Sequence, residues 1–394
     1  MSEATTREAL ERAYLNFDQI RPLEPGKPGS QFHVNLEAQS VKRLFLDLKL
    51  QARQNLKILF SGHRGCGKST QLNYLAATPD IKRHFLIVKY SIQDLLNPDD
   101  LDHIDLLLSM ALKAYEAAEQ EGVQVSPELQ KQAQKLADQL HGLIQEEAIE
   151  ESGRSGETGI KAAIGVPSLL SFIKAQFFAR YQLEFETRDK IRKHFRPRLN
   201  ELTNTLNAVL REIRLSLQGK ENILILIDDT DKAPLEKSLE VFQENGLHLA
   251  KPECCVVYVI DMALVCSGRF RATVNTIGKE MILPNLRLAD VHGQLDQEAA
   301  ANRELLKQVA YHRLVANLIA PEALDEAISM SGGVMREFMA LMAKSISNAL
   351  IAERSQVNRD DVDRAVIETR NGFFLAYRSR KDSQGSITRP PLVS

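Results

Sequence analysis

Apolar positions recur along this chain in two different patterns, which separate strands from helices. Short apolar runs bounded by polar or turn-forming residues are typical of buried strands. Longer segments with apolar residues at every third or fourth position are typical of amphipathic helices. The first pattern predicts five strands, at Leu56–Phe60, Phe85–Ile92, Ile223–Ile227, Cys254–Ile260 and Met281–Leu288.

Helical patterns fill the stretches between and after these strands. They predict helices at Glu37–Leu50, Lys68–Ala77, Leu101–Gln120, from Ser126 onwards, and at Phe172–Leu217 with an interruption at Pro197. The pattern from Gln297 to Thr369 is helical, with breaks at Ala320–Pro321 and Ser331–Gly333. Since strands alternate with helices, we predict an α/β fold with a doubly wound parallel sheet. Pro284 places the last strand near the sheet edge.

The order of these elements predicts a split domain organisation. A nucleotide-binding core is expected in residues 51–100 and 221–293, interrupted by a helical insertion at 101–220. An N-terminal segment at 1–50 precedes the core, a C-terminal helical lid at 294–370 follows it, and a flexible tail is expected at 371–394.

Composition and cysteine spacing exclude several classes of protein. With 394 residues, 44% of them hydrophobic and 26% charged, the chain can build a sizeable core, which excludes overall disorder. We predict no transmembrane segment and no secretory signal. The spacing of the four cysteines fits neither a zinc site nor a disulfide framework, so we predict a cytoplasmic protein with reduced thiols.

The net charge of −2 conceals a separation of charge within the insertion. Residues 94–159 carry 15 acidic and 4 basic side chains, whereas residues 160–220 carry 5 acidic and 12 basic ones. Such segments either neutralise each other or bind a partner.

One glycine-rich motif carries clear chemistry. Residues 62–70 read Gly-His-Arg-Gly-Cys-Gly-Lys-Ser-Thr and fit the phosphate-loop pattern, between a predicted strand and a predicted helix. Backbone N–H groups of such a loop and the following helix N-terminus bind phosphate. The predicted nucleotide-binding residues are Gly62, His63, Arg64, Gly65, Cys66, Gly67, Lys68, Ser69 and Thr70.

Four side chains of this loop are considered individually. Lys68 is expected to reach the β- and γ-phosphates, and the Ser69 hydroxyl to bind Mg²⁺. Thr70 is a candidate donor to the α-phosphate. Cys66 is either a small filler or a thiol activated by the helix N-terminus.

The apolar run Ile223–Ile227 ends in a second acidic motif. Ligands bind at the carboxyl ends of parallel strands, so Asp228 is expected to hold Mg²⁺ together with Ser69. Asp229 is the candidate for orienting the attacking water. Asp231 is interpreted as a helix cap rather than a catalytic residue.

The two motifs resemble the Walker A and Walker B elements of P-loop ATPases of the additional-strand class, which includes AAA+ and STAND proteins. The Asp-Asp-x-Asp-Lys run at 228–232 is similar to that of KAP-type and archaeal replication-initiator-like members. The Asn-Lys-x-Asp element of guanine-specific proteins is absent from the sequence, so the resemblance implies ATP.

The resemblance also implies roles for later residues. Asp261 matches the position of a γ-phosphate sensor after the fourth strand. Ser331-Gly-Gly-Val-Met-Arg336 is similar to the lid motif whose arginine, sensor 2, contacts the γ-phosphate. Arg269 and Arg271 lie where an arginine finger would fall, and both are also explained as surface residues.

The insertion leaves three interpretations open. Leu169–Phe178 could lie on a membrane surface. A basic group could bind nucleic acid, namely Arg188, Lys190, Arg192, Lys193, Arg196 and Arg198. The third interpretation is a helical hairpin that packs on itself or on the core.

Together these features predict a Mg²⁺-dependent ATP hydrolase, with Lys68, Asp229 and Arg336 as catalytic residues. It would act as a nucleotide-driven switch or remodeller. The alternatives are a signalling or defence scaffold with little turnover and a DNA-associated initiator-like ATPase. A homo-oligomer and a protein partner bound through residues 101–220 are both compatible with the sequence, whereas a nucleic-acid partner has no direct support.

Overall fold

The computed structural model describes residues 3–18, 21–36, 38–123, 126–128, 131 and 185–383. Within these residues the chain forms two compact units. The sheet unit comprises residues 37–63 and 71–283, and the helical unit comprises residues 1–36, 64–70 and 284 onwards. The predicted apolar segment Leu169–Phe178 lies outside the described residues.

The described helices are, in chain order, α1 (Glu3–Asp18), α2 (Gln39–Leu50), α3 (Lys68–Ala77), α4 (Pro79–His84), α5 (His103–Gln120), α6 (Phe185–Phe195), α7 (Leu199–Ser216), α8 (Leu235–Ser238), α9 (Gly246–Ala250), α10 (Met262–Val265), α11 (Phe270–Ile277), α12 (Gln297–Tyr311), α13 (Pro321–Met330), α14 (Met335–Ile351) and α15 (Arg359–Ser383). The strands are β1 (Lys57–Gly62), β2 (Phe85–Ser91), β3 (Asn222–Asp228), β4 (Cys255–Ile260) and β5 (Lys279–Leu283).

The five strands form one parallel sheet in the order β2-β3-β4-β1-β5. Strands β1, β3 and β4 are buried along their whole length, because helices cover both faces of a parallel sheet. This burial explains their continuous apolar sequences. The α/β fold with a parallel sheet is therefore confirmed, and all five predicted strands are present.

The last predicted strand is shorter than expected. β5 ends at Leu283, directly before Pro284, because proline lacks the N–H that would continue the ladder. The edge position of β5 is confirmed by its single neighbour, β1.

The insertion contributes to the core of the sheet unit. Helix α5 packs against β2 and β3, and α7 packs against α5 and β3. Their apolar side chains join those of the sheet in one buried cluster, which includes Leu107, Leu206 and Ile225. Pro197 interrupts the helix in a short 3₁₀ turn between α6 and α7, as predicted.

The helical unit has its own core, built by α1 and α12–α15. Helix α1 packs against α14, so Leu10, Ala13 and Phe17 are buried among lid side chains such as Phe338 and Met342. The N-terminal segment and the lid thus belong to one compact unit, a grouping that hydrophobic periodicity does not reveal.

Helix boundaries in this unit differ from the prediction at two places. A break between Ile351 and Arg359 was not predicted, and Glu353 has a positive φ of 53° there. Helix α15 continues past the predicted tail boundary at Asn371 to Ser383, so residues 371–383 are helical rather than a tail. The rest of the predicted tail lies outside the described residues. Among the described residues, no helix combines the length and apolarity that a bilayer span requires.

Candidate nucleotide-binding site

The phosphate loop joins the carboxyl end of β1 to the N-terminus of α3. β1 ends at Gly62 and α3 begins at Lys68, so the predicted strand–loop–helix context is confirmed. Gly65 and Gly67 have φ angles of 86° and 102°, a region that side-chain-bearing residues rarely adopt. Lys68 is only 6% exposed. The motif therefore folds as a glycine-dependent turn with a buried lysine at the first position of the helix.

Gly65 is also fixed by a contact with the lid. Its carbonyl oxygen accepts a hydrogen bond from the backbone N–H of Arg336, at 3.1 Å. A Cβ atom on Gly65 would lie 2.5 Å from the Cβ of Arg336, which is closer than such atoms approach. Arg336 is the second residue of α14. The structure therefore brings together two residues that the sequence predicted for the same site.

Gly333, just before α14, allows the first turn of this helix to reach the phosphate loop. Gly333 has a φ of 73°, and a Cβ there would lie 1.8 Å from the carbonyl oxygen of Leu286. Its own carbonyl accepts from the N–H of Leu286 at 3.1 Å. The guanidinium of Arg336 makes no ion pair or hydrogen bond with any residue the structure describes, and the residue is exposed. Its charge is thus available to an anionic ligand.

The hydroxyl groups at the start of α3 have different surroundings. The Thr70 hydroxyl oxygen accepts a hydrogen bond from the backbone N–H of Leu23, at 3.2 Å, which leaves its proton to donate elsewhere. The Ser69 hydroxyl has no hydrogen-bond partner in the described part of the chain. No described residue therefore occupies the Ser69 oxygen, and its predicted role as a Mg²⁺ ligand stays a prediction.

The other loop side chains differ in exposure. His63 and Arg64 are exposed, and Cys66 is buried with 4% exposure. All four cysteines of the chain are free thiols. The burial of Cys66 favours the interpretation of a small filler over that of a reactive thiol.

Asp228 ends β3 at the carboxyl edge of the sheet. Strand β4 lies between β1 and β3, so Asp228 and Gly62, where the phosphate loop starts, lie at the same edge of the sheet unit. Asp228 is 6% exposed, and its Oδ1 accepts the backbone N–H of Asp229 at 2.8 Å. The edge position predicted for this carboxylate is confirmed.

Asp229 has an unusual backbone conformation and two side-chain contacts. Its φ of 66° and ψ of 6° place it in the left-handed region, which costs energy for a residue with a Cβ. Its Oδ2 accepts the Ser91 hydroxyl at 2.6 Å, and its Oδ1 pairs with the Lys232 ammonium at 2.8 Å. We call Asp229, Ser91 and Lys232 the Asp229 clamp. Both carboxylate oxygens are therefore oriented by neighbours.

Two further aspartates near the carboxyl ends of β3 and β4, Asp231 and Asp261, were considered as a helix cap and a γ-phosphate sensor. Asp231 was interpreted as a helix cap, but the N-cap of the turn Thr230–Lys232 is Asp229, and that of α8 is Pro234. Asp231 instead lies buried inside the turn. The Asp261 carboxylate accepts the N–H of Ala263 at 2.7 Å and caps α10. The capping interpretation thus fits Asp261 and not Asp231.

The arginine-finger candidates lie on the surface of the sheet unit. Arg269 is exposed at the N-cap position of α11. Arg271, whose side chain is 79% exposed, pairs with Glu280 at 3.1 Å. Both residues thus have the exposure of surface arginines, and the arginine-finger role stays a prediction.

The basic group of the insertion is largely neutralised by acidic residues near the start of α5. Arg188 and Arg192 are buried, and both pair with Asp100. Arg192 also pairs with Asp105 at 2.6 Å, and Arg196 pairs with Asp102 at 3.0 Å. The predicted nucleic-acid face is therefore wrong for Arg188 and Arg192, because buried and paired guanidinium groups cannot contact phosphate.

The remaining members of that group also have neighbours. Lys193 pairs with Asp189 within α6, and Arg198 donates to the ring of His194. In the described part of the insertion, the acidic and basic segments thus neutralise each other, which is one of the two interpretations that the sequence left open.

Two histidines connect α5 to α9 beneath these ion pairs. His103 and His248 stack with ring centroids 5.7 Å apart. Burial lowers the pKa of His248 below its ordinary value, and the positive charge of Lys251 and the nearby His103 add to this effect. Burial alone would raise the pKa of Asp102, but the His103 ring 3.1 Å away and hydrogen bonds from the Ile104 amide and Arg196 outweigh it and hold that pKa well below its usual range.

The parallel sheet and the phosphate loop together define the class of fold. A phosphate loop that joins a strand of a parallel sheet to a helix N-terminus is the P-loop NTPase arrangement, and β4 is the extra strand between β1 and β3. Within the helical unit, a glycine-rich turn precedes the helix N-terminus, which is an arrangement that binds phosphate, and Ser69 offers a hydroxyl oxygen there. Within the sheet unit, Asp228 offers a carboxylate. Both are hard oxygen donors of the kind that Mg²⁺ prefers.

Comparison with solved structures finds overall similarity at low sequence identity. The chain is similar to the ORC2 protein of Aeropyrum pernix in ADPNP–ADP complexes (11% identity, TM-score 0.43, covering 90% of this chain and 70% of that one). It is also similar to the ORC1 protein of Aeropyrum pernix in complex with DNA (12% identity, TM-score 0.42, covering 90% of this chain and 69% of that one). A third similar structure is the ADP form of Aeropyrum pernix ORC2 (12% identity, TM-score 0.41, covering 90% of this chain and 72% of that one). No family model and no curated protein matches the chain. At these identities, the similarity assigns no residue role here.

Three residues of the site were not predicted from the sequence. They are Leu23, which binds Thr70, and Ser91 and Lys232, which bind Asp229. Lys232 was within reach of sequence reasoning, because its spacing of three residues from Asp229 is a common ion-pair spacing in a helical turn. Leu23 and Ser91 are separated from their partners by 47 and 138 positions, and no local pattern indicates such contacts.

Proposed function

We propose that this protein binds ATP with Mg²⁺ and hydrolyses it slowly, as an AAA+/STAND-type ATPase that works as a nucleotide-driven switch. The observation that carries the proposal is the contact of Arg336 with Gly65. It ties a predicted γ-phosphate sensor to the phosphate loop, while its guanidinium has no partner among the described residues.

In this proposal each residue of the site has one role. Lys68 binds the β- and γ-phosphates, and the backbone N–H groups of the loop bind the phosphate oxygens. Ser69 and Asp228 hold Mg²⁺, which neutralises charge on the phosphates when it is bound. Asp229 orients the attacking water, and Arg336 stabilises the charge that develops on the transferring group.

The geometry of the Asp229 clamp supports slow turnover. A carboxylate that orients water must direct a lone pair toward it, and in Asp229 each oxygen is already held by one partner, at 2.6 and 2.8 Å, which restricts the directions that the remaining lone pairs can take. This restraint favours a switch that holds its nucleotide over a fast motor. A DNA-driven motor has less support, because Arg188, Arg192 and Arg196 of the insertion are paired with acidic residues.

The test compares ATP binding and turnover in three proteins. We expect Lys68→Ala to lose ATP binding by at least about 100-fold, since it removes a buried charge-assisted contact. Asp229→Asn should bind ATP as the wild type does and turn it over at least about 10-fold more slowly. Calorimetric titration and phosphate release measure these two quantities. Normal binding in Lys68→Ala would refute the phosphate-loop assignment.

Turnover with and without DNA, and mass photometry in ATP and in ADP, separate the remaining possibilities. We expect slow turnover that DNA does not stimulate, with a nucleotide-dependent change in assembly. Stimulation by DNA would favour the initiator-like alternative. Tight ATP binding with no turnover would favour a scaffold, in which the insertion, residues 101–220, binds a protein partner.

A further inference from the structure

Lys232 is the one cation that pairs with the Asp229 carboxylate among the residues the structure describes. Its ammonium lies 2.8 Å from Oδ1, and it also donates to the side-chain carbonyl of Gln93. Lys232 is therefore held on two sides. A cation anchored in this way fixes one carboxylate oxygen more firmly than a freely rotating lysine would.

The other oxygen of Asp229 is held by a hydroxyl with a fixed direction. The Ser91 oxygen accepts the N–H of Gln93 at 3.1 Å, so its own proton is directed to Asp229. Ser91 also lies opposite Asp228 in the register of β2 and β3. The carboxylate is thus fixed by the end of β2 on one side and by its own turn on the other.

The position of these contacts links them to the insertion. Gln93 belongs to the turn Ile92–Asp94, directly after β2. The next turn, Pro98–Asp100, contacts the turn Thr230–Lys232, and Asp100 accepts the ion pairs from α6. The clamp therefore lies where the insertion joins the sheet.

We infer that Lys232 is a positioning residue that restrains Asp229 and slows hydrolysis, a role that rests on the proposed ATPase function. Lys232 competes with the attacking water for the lone pairs of Oδ1 and fixes the direction of the carboxylate. It does not touch the nucleotide in this role. Removing its charge frees one carboxylate oxygen and leaves nucleotide binding unchanged.

The experiment measures turnover and ATP affinity in Lys232→Met, Lys232→Arg and a matched control. Lys237 supplies the control, because it pairs with Glu240 at the same spacing and the same 2.8 Å, and both lysine side chains are 35% exposed. We expect Lys232→Met to raise kcat about 2- to 5-fold, the size that a partly exposed ion pair supports. Its ATP affinity should stay within about 2-fold of wild type.

Lys232→Arg should keep wild-type turnover, because it keeps the charge, and Lys237→Met should change nothing. A second readout uses no nucleotide. Amide hydrogen exchange of residues 229–233 should become faster in Lys232→Met and not in Lys237→Met. A kcat of Lys232→Met at or below the wild-type value overturns the inference.

The two proposals fail in different ways. If the wild type hydrolyses ATP and Lys232→Met is no faster, only the inference fails. If the wild type is inactive and Lys232→Met is active, the restraint is supported directly. If both are inactive, the ATPase proposal and the inference fail together.

Discussion

The backbone N–H of Arg336 donates a hydrogen bond to the carbonyl oxygen of Gly65, at 3.1 Å. Helix α14 thus begins in contact with the phosphate loop, and both residues belong to the helical unit. The contact requires glycine at position 65 for two separate reasons. The backbone has a φ of 86°, and a Cβ atom would lie 2.5 Å from the Cβ of Arg336.

Substitutions at Gly65 and Gly67 separate the cost of the positive φ from the cost of the clash with Arg336. Gly67 also has a positive φ, but a Cβ there would meet no atom within 4 Å. Gly67→Ala should therefore cost only the backbone strain, about 1 kcal/mol of unfolding free energy. Gly65→Ala adds a clash and should cost at least about 1 kcal/mol more. Denaturant unfolding of the nucleotide-free protein measures both.

A double-mutant cycle then identifies the clashing atom. Arg336→Gly removes the Cβ that the new methyl group would meet, whereas Arg336→Ala keeps it. We expect Gly65→Ala to cost less in the Arg336→Gly background and as much as before in the Arg336→Ala background. Equal costs for Gly65→Ala and Gly67→Ala in the wild-type background would argue against the contact.

The guanidinium charge of Arg336 is expected to affect turnover, whereas its backbone contact with Gly65 affects stability. Its guanidinium has no partner among the described residues, so Arg336→Ala should leave the unfolding free energy within about 0.5 kcal/mol of wild type. Turnover should fall at least about 10-fold, because a charge that stabilises the transferring phosphoryl group is lost. Arg359→Ala is the control, since it removes an exposed arginine of the same unit that pairs with Glu326. A similar loss of turnover in both variants would contradict a specific role for Arg336.

Local patterns were sufficient to predict the elements that position the site. The apolar run of β3 and the two aspartates after it fix Asp228 at the sheet edge, because a buried parallel strand has only one carboxyl end. The glycines of the phosphate loop likewise reflect local backbone angles. These features depend on residues close together in sequence, so the sequence alone reveals them.

Contacts between distant segments could not be predicted in this way. The apolar residues Leu10, Ala13 and Phe17 share one face of helix α1, but their spacing does not show which element covers that face, so the packing on α14 is seen only in the structure. The left-handed backbone of Asp229 is one that few residues with a Cβ adopt, and the local sequence does not show that Ser91 and Lys232 hold its carboxylate. The sequence shows that acidic and basic residues are separated along the insertion. Which of them form ion pairs, such as the buried pair of Arg192 with Asp105, is seen only in the structure.

Arg192 offers a stability test of that charge pairing. Its guanidinium is buried and contacts the carboxylates of Asp100 and Asp105, the second of which is only 1% exposed. Arg192→Met would remove the guanidinium that compensates the charge of this buried carboxylate and leave it the Asp102 N–H, which should cost roughly 3 to 5 kcal/mol of unfolding free energy. The neighbouring Lys193→Met is the control, because its pair with Asp189 is exposed and should contribute less than about 1 kcal/mol. Denaturant unfolding compares the two, and equal losses would refute a structural role for the buried pairs.

The stacked histidines predict how stability depends on pH. Burial lowers the pKa of His248 below its ordinary value of 6.5, and the charge of Lys251 acts in the same direction. The folded protein therefore binds fewer protons at this site than the unfolded chain does once the pH falls below about 6.5. The stability that neutral His248 contributes is present above that pH and is lost as the pH falls toward the lowered value. His33, whose pKa is lowered by burial and by His312, has the same sign.

Melting temperatures between about pH 7.5 and pH 5.5 test this sign. The wild type should melt at a lower temperature as the pH falls, and His248→Phe should show a smaller decrease because the titrating group is gone. His292→Phe is the control, since His292 is exposed on a loop of the helical unit. If His248→Phe and His292→Phe keep the same dependence on pH as the wild type, other groups control the acid sensitivity. In that case the stack of His103 on His248 would contribute packing alone.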